Sequence, residues 1–206
     1  MDVSHFVQTI AIYALPVLFA ITLHEAAHGY VARHFGDMTA FAQGRISLNP
    51  ARHIDLVGTI LVPIAILAAS TLAGGAGLLF GWAKPVPVNY SALRRPRQNM
   101  VWVAAAGPGA NLAMAIGWAL LLKIFMFFPD NSFSVPMRLM CEAGMQVNVV
   151  LMLLNLLPSR IAWGYAKLEP LGFPILLVLL FTSVLGVILA PMVNFSFRVL
   201  GTVFRI

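Results

Sequence analysis

Long apolar runs separated by short polar stretches set the pattern of this chain. Five stretches without a charged side chain, at about 6 to 23, 56 to 83, 100 to 122, 143 to 158 and 170 to 197, alternate with segments that carry every Lys, Arg, Asp and Glu. A bilayer core of about 30 Å takes roughly 20 helical residues to cross, so each run predicts a membrane-spanning helix, with ends good to a few residues. The pattern therefore predicts an all-α integral membrane protein, a multi-pass transmembrane helix bundle of about five spans.

Two of the runs carry extra information. The fourth holds Gln146, Asn148 and Asn155, with Arg138 and Glu142 just before it, and polar groups at membrane depth must face protein or water rather than lipid. The second contains Gly74, Gly75 and Gly77, which fits a broken helix or a re-entrant turn at its far end. The first run lacks a basic leader and a small-residue cleavage site, so it reads as part of the mature chain rather than a signal peptide. No soluble domain, internal repeat or low-complexity tract is visible, and residues 1–206 read as a single transmembrane domain.

Composition agrees with the pattern. The 206 residues are 60% hydrophobic and 10% charged, where soluble domains carry about a quarter charged residues. The net charge of +6 would in a soluble protein raise the question of nucleic acid. Here the cations sit in short loops, where anionic lipid headgroups explain them, and the group Lys84, Arg94, Arg95, Arg97 has neither acidic partners nor an aromatic ladder. The lipid bilayer is the expected partner and nucleic acid is not. Five alternating spans would divide the cations six to seven between the two sides, which fixes no orientation. The lone cysteine, Cys141, rules out an internal disulfide and a four-thiolate zinc site.

The candidate chemistry lies where the first run ends, in HEAAH. Residues four apart on a helix point nearly the same way, so His24 and His28 can both reach one Zn²⁺. Glu25 falls beside the metal, where it can take a proton from water and pass it to a leaving amine. This is the H-E-x-x-H arrangement of zinc proteases. In a chain with five histidines and seven acids, ionisable groups in a membrane span are functional candidates by default. His34 has the third-histidine spacing of metzincins, but Val31 stands where that pattern needs glycine. On a continuing helix His34 points about 240° away from His28, so Arg33, His34 and Gly36 read as the end of the helix.

With HEAAHGYVARHFGD, SLNPARHIDLVGTILVP, GWAKPVPVNY, AAGPGANLAMA, NVVLMLLNLLP and AKLEPLGFPILL in this order, the chain resembles the site-2 proteases, membrane-embedded zinc metalloproteases, in their small prokaryotic branch. The resemblance implies a helix bundle with zinc inside it, reached by water through a polar cavity. It implies cleavage of peptide bonds in or near the transmembrane segments of a membrane-protein or peptide substrate, in a prokaryotic plasma membrane. It also implies a third zinc ligand, an aspartate in a pattern running N-x-x-P and then D-G. Here NLLPSRIAWGYAKLEP keeps Asn155 and Pro158 but has Trp163 before Gly164. Either the aspartate is substituted, or a segment is missing between Pro158 and Ser159; the abrupt junction favours the second. Asp37 lies just past the HEAAH helix and Glu169 is the best-placed substitute, but Glu169 reads more readily as an acid favoured at a helix N-terminus, and neither is assigned as a ligand.

Asn111, in the GPxxN-like element, is a candidate hydrogen-bond donor to a substrate carbonyl, and the alternative is helix packing with one polar bond. Asn155 is a candidate for the same role or for capping a kink before Pro158. His53 reads as a loop histidine satisfied by a neighbouring carboxylate such as Asp55. Trp82, Pro85 and Pro87 predict an extended interfacial segment, which could accept substrate by strand addition. Together these residues predict an intramembrane zinc metalloprotease with Glu25 catalytic and His24 and His28 on the metal. The alternative is a catalytically impaired pseudoprotease that binds membrane-protein helices. A transporter is disfavoured by the lack of internal repeats.

Overall fold

Apolar periodicity becomes helix throughout the residues described by the computed structural model, which are 3–72, 83–156 and 184–206. They form α1 (Val3–His34), α2 (Thr39–Ala42), α3 (Val62–Leu72), α4 (Pro96–Phe125), α5 (Ser134–Asn155) and α6 (Val184–Phe204), with no strand among them. Gly74, Gly75, Gly77, Trp82, Pro158, Ser159, Trp163, Gly164 and Glu169 lie outside the described residues, as does the first half of the last apolar run. Among the described residues, three helical stretches are long and apolar enough to cross a membrane: Val7–His34, Pro96–Phe125 and Ser134–Asn155. The third begins well before its apolar run. Asn131 Oδ1 accepts the Phe133 and Ser134 amides at 2.8 Å and so caps the helix upstream of Arg138 and Glu142.

The described residues gather into two compact units, Met1–Asn111 and Leu112–Ile206. In the first, α1 buries Pro16, Ala20, Ala26, Gly29 and Ala32 and exposes Leu15, Phe19 and Tyr30. The helix ends at the expected place. Gly36 adopts φ +107°, a left-handed conformation that glycine enters without strain. The Asp37 amide then bonds back to the Ala32 carbonyl at 3.0 Å and the Gly36 amide to the Arg33 carbonyl at 3.0 Å, the paired bonds of a Schellman stop. The Arg33 guanidinium lies 3.9 Å from the centre of the Phe41 ring.

This stop buries Asp37 completely. Its Oδ1 accepts the Thr39 amide at 2.9 Å, and its Oδ2 accepts the Asn89 amide at 2.6 Å. Segment 83–89, a strap without regular secondary structure, is thereby tied to the end of α1. Burial alone would raise the Asp37 carboxyl, but the hydrogen bonds from Thr39 and Asn89 outweigh it and hold the group below the ordinary carboxylate value. Behind the strap, Ala32, Leu93 and Val103 form a small core with Val31, Phe35 and Val88 against it. Before it, Asp55 begins the π-wound turn Leu56–Leu61: its Oδ1 accepts the Gly58 amide at 2.7 Å and its own amide bonds Thr59 Oγ1 at 3.0 Å.

The second unit rests on matched stripes. Ala115, Ala119 and Leu122 of α4 meet Cys141, Met145, Val149 and Leu153 of α5, with Leu200 of α6 joining the same core. The α5 residues recur every four positions, so they line one face of the helix. Gly144, on the adjoining edge of that face, packs under the Trp118 indole.

Two outcomes follow from these contacts. A methyl at position 144 would fall 2.5 Å from Trp118 Cε2; Gly144→Ala is expected to destabilise the protein by about 1–3 kcal/mol, read as a lower midpoint in thermal unfolding in detergent. Asp37→Ala leaves the Thr39 and Asn89 amides without their acceptor and is expected to cost about 2–3 kcal/mol at neutral pH. Because the folded-state carboxyl lies below its unfolded value of about 4, the wild-type advantage is complete above that value. It fades as pH falls through the lower folded-state value, which paired unfolding curves across acid pH will measure.

Candidate metal centre

His24 and His28 lie one turn apart on α1, and their rings stand edge to face, with centroids 4.7 Å apart and planes at 82°. Their Nε2 atoms approach to 3.1 Å. Helix α4 governs the other edge of each ring. His28 Nδ1 lies 2.6 Å from the Val103 carbonyl oxygen, which can only accept, so Nδ1 carries the proton and Nε2 presents a lone pair. With the His24 proton on Nδ1, 3.3 Å from Asn111 Oδ1, its Nε2 presents a lone pair as well, and two such lone pairs cannot hydrogen-bond each other.

A shared cation resolves that opposition. Two nitrogens at about 2.0–2.1 Å from one tetrahedral zinc stand roughly 3.3 Å apart, close to the 3.1 Å separation found here. The donor set fits as well, since neutral imidazoles whose second nitrogen is tied to protein are the usual zinc ligands. Gly107 fits for a further reason. A Cβ there would come within 2.5 Å of His24 Cε1 and 2.6 Å of His24 Nε2, and would also strike His28 Nε2. Val103, Gly107 and Asn111 recur every four residues and are all buried, so one face of α4 carries an acceptor, a gap and an amide to the histidine pair.

Glu25 is turned to the strap. Its Oε2 accepts the Val86 amide at 2.7 Å. Asn111 is fully buried, and its Nδ2 has no hydrogen-bond partner, a donor left over after Oδ1 has engaged His24. Asn155 belongs to the second unit, where it is exposed and its Nδ2 donates to the Leu151 carbonyl at 2.8 Å. His34 closes α1 and lines an apolar hollow of about 450 Å³ with Tyr30, Phe35 and Trp102, which neither His24 nor His28 enters. Among the described residues no group of three His, Cys, Asp or Glu side chains could hold a metal ion.

His53 differs from expectation. It is buried and its Nε2 donates to the Ser47 carbonyl at 2.7 Å rather than to Asp55, because the Asp55 carboxylate is already used as a helix cap. The Pro85 and Pro87 segment has no regular secondary structure. Its Lys84 and Val86 amides bond to the His53 carbonyl and Glu25, and its Lys84 and Pro85 carbonyls accept from Arg45. Sequence reading missed three contributors: the Val103 carbonyl, the Gly107 gap and the Val86 amide. The four-residue spacing of 103, 107 and 111 against that of 24 and 28 was the available signal for the first two.

Comparison with curated proteins now bears on this arrangement. The chain is 37% identical over 198 residues to "Putative zinc metalloprotease YwhC" of Bacillus subtilis, which covers 87% of this chain and 84% of the relative. It is 31% identical over 184 residues to "Putative zinc metalloprotease Rip2" of Mycolicibacterium smegmatis, covering 82% of this chain and 66% of the relative. The same figure holds over 157 residues of Rip2 of Mycobacterium tuberculosis, covering 74% of this chain and 54% of the relative. The chain belongs to the site-2 protease family. It spans about half to two thirds of the mycobacterial members. No family model and no solved structure matches it.

Asn111→Ala removes the acceptor that orients His24. Zinc affinity is expected to fall by about 10–100-fold, measured by chelator competition on the detergent-solubilised protein.

Proposed function

We propose that this chain is an intramembrane zinc metalloprotease of site-2 type, hydrolysing peptide bonds in or near transmembrane segments of membrane proteins. On this reading it is a single multi-pass domain of about five spans in a prokaryotic plasma membrane. The observation that carries the proposal is the facing pair of Nε2 atoms, 3.1 Å apart, with both Nδ1 atoms committed to α4. The relatives named as zinc metalloproteases support it.

His24 and His28 are the residues that would hold the metal. When bound, Zn²⁺ supplies Lewis acidity that polarises a carbonyl and lowers the pKa of water. Glu25 acts as general base toward the attacking water and then returns the proton to the leaving amine nitrogen. Asn111 Nδ2, buried and without a partner, is a donor for the carbonyl oxygen as negative charge develops there, where a pre-oriented hydrogen bond gains most. The aspartate that the family would supply as third ligand is absent from its place in the motif, so water or a residue beyond the described ones would have to complete the metal's shell.

That absence favours a second reading, a pseudoprotease that binds membrane-protein helices without cleaving them. Zinc stoichiometry and cleavage of a membrane-protein substrate in detergent or liposomes separate the two. The protease reading expects about one zinc per chain and cleavage that Glu25→Gln lowers by at least about 100-fold with its zinc retained. Retained cleavage in Glu25→Gln would overturn the role of Glu25; a zinc-free, inactive wild type would favour the pseudoprotease.

A further inference from the structure

The strap at 83–89 is pinned along its length. The Lys84 amide bonds the His53 carbonyl at 2.9 Å. Arg45 forks onto the Lys84 and Pro85 carbonyls at 2.7 and 3.2 Å. The Asn89 amide reaches Asp37 at 2.6 Å. Between these anchors the Val86 amide meets Glu25 Oε2 at 2.7 Å. Pro85 and Pro87 carry no N–H, so Val86 supplies the one amide of this Pro-Val-Pro stretch.

Packing fixes where that amide falls. Val86 is 8% exposed. Gly29 stands one turn after Glu25 on the same face of α1, and a Cβ there would lie 3.2 Å from Val86 Cγ1 and 2.9 Å from Ile46 Cγ1. The missing side chain lets the strap seat against the helix that bears Glu25. A movable lid would be tied weakly; this segment is tied on both sides of Val86 by bonds that do not involve the histidine pair.

We propose that the Val86 backbone N–H is a positioning donor for Glu25: it holds Oε2, fixes the rotation of the carboxylate, and leaves Oε1 to exchange the proton. The inference rests on the protease reading above. A glutamate free to rotate would spend part of its time turned away from the water it must deprotonate, and geometry is the first requirement of a general base. Removing the amide therefore lowers kcat and spares substrate binding and zinc.

Two measurements test this on the full-length protein. Val86→Pro deletes the N–H; kcat is expected to fall by about 10–100-fold with KM and zinc content little changed, and Val86→Ala, which keeps the N–H, recovers most of the rate. Wild-type kcat in Val86→Pro, a rise in kcat, or an equal loss in Val86→Ala would overturn the proposal. Amide hydrogen exchange decides the case without activity, and it also serves if Val86→Pro fails to fold. The Val86 amide is expected to be protected in the wild type and to exchange at least about tenfold faster in Glu25→Ala, while the Lys84 amide is unchanged. Equal exchange in both proteins overturns the proposal. A wild type that binds zinc yet cleaves no membrane protein, with the Val86 amide protected by Glu25, would instead defeat the protease reading.

Discussion

Helix α4 lies against two imidazoles because residue 107 has no side chain, and the geometry of the histidine pair follows from that approach. With the Gly107 backbone set against the His24 and His28 rings, the residues one turn away on either side reach their outer edges: the Val103 carbonyl at His28 and the Asn111 amide at His24. The lower number on α4 meets the higher on α1, so the helices run antiparallel here. Four residues of helix rise about 6 Å; the α4 stripe therefore spans twice the length of the histidine pair, and the splay of the rings, with planes at 82°, makes up the difference.

The same unit uses two of the chain's seven acids as acceptors for one strap. Gly36 makes this possible: its left-handed conformation stops α1 and turns Asp37 inward, where the carboxylate receives two amides. A buried carboxylate without such partners is costly, and hydrogen bonds to a charged group contribute about 1.5–3 kcal/mol each. The end of the helix that carries the histidines is thus the anchor of the strap that touches Glu25, and the strap's register is fixed before any substrate arrives.

Side chains with distinctive chemistry were legible in the sequence; backbone partners were not. His24, Glu25 and His28 stood out because ionisable groups are scarce in this chain, and the stop at Arg33 to Gly36 followed from local rules that do not depend on tertiary context. Asn111 was visible as a polar residue in an apolar run, though its Oδ1 contact with His24 was not. The Val103 carbonyl and the Val86 amide carry no residue-type signature, since any residue but proline could supply the amide and any residue the carbonyl. His53 was paired with Asp55 on proximity alone; the demand of a helix start for a cap took that carboxylate elsewhere. Helix existence was read well in the described residues, whereas α5 starts upstream of its apolar run, since Arg138 and Glu142 are no obstacle to helix and Asn131 accepts the first amides.

Two protein nitrogens are fewer than a catalytic zinc site normally has, and the physical weight of the Gly107 gap bears on whether the metal is still expected. Glycine in a helix interior costs about 1 kcal/mol relative to alanine. Here that cost lets the α4 backbone approach the two imidazoles, whose Nε2 atoms lie 3.1 Å apart. On the protease reading, a cation held between the nitrogens would offset that cost, because binding to the folded state stabilises it by mass action. The Val103 and Asn111 tethers hold both rings in place; on the protease reading this preorganisation would offset part of the affinity that a third protein ligand would have supplied.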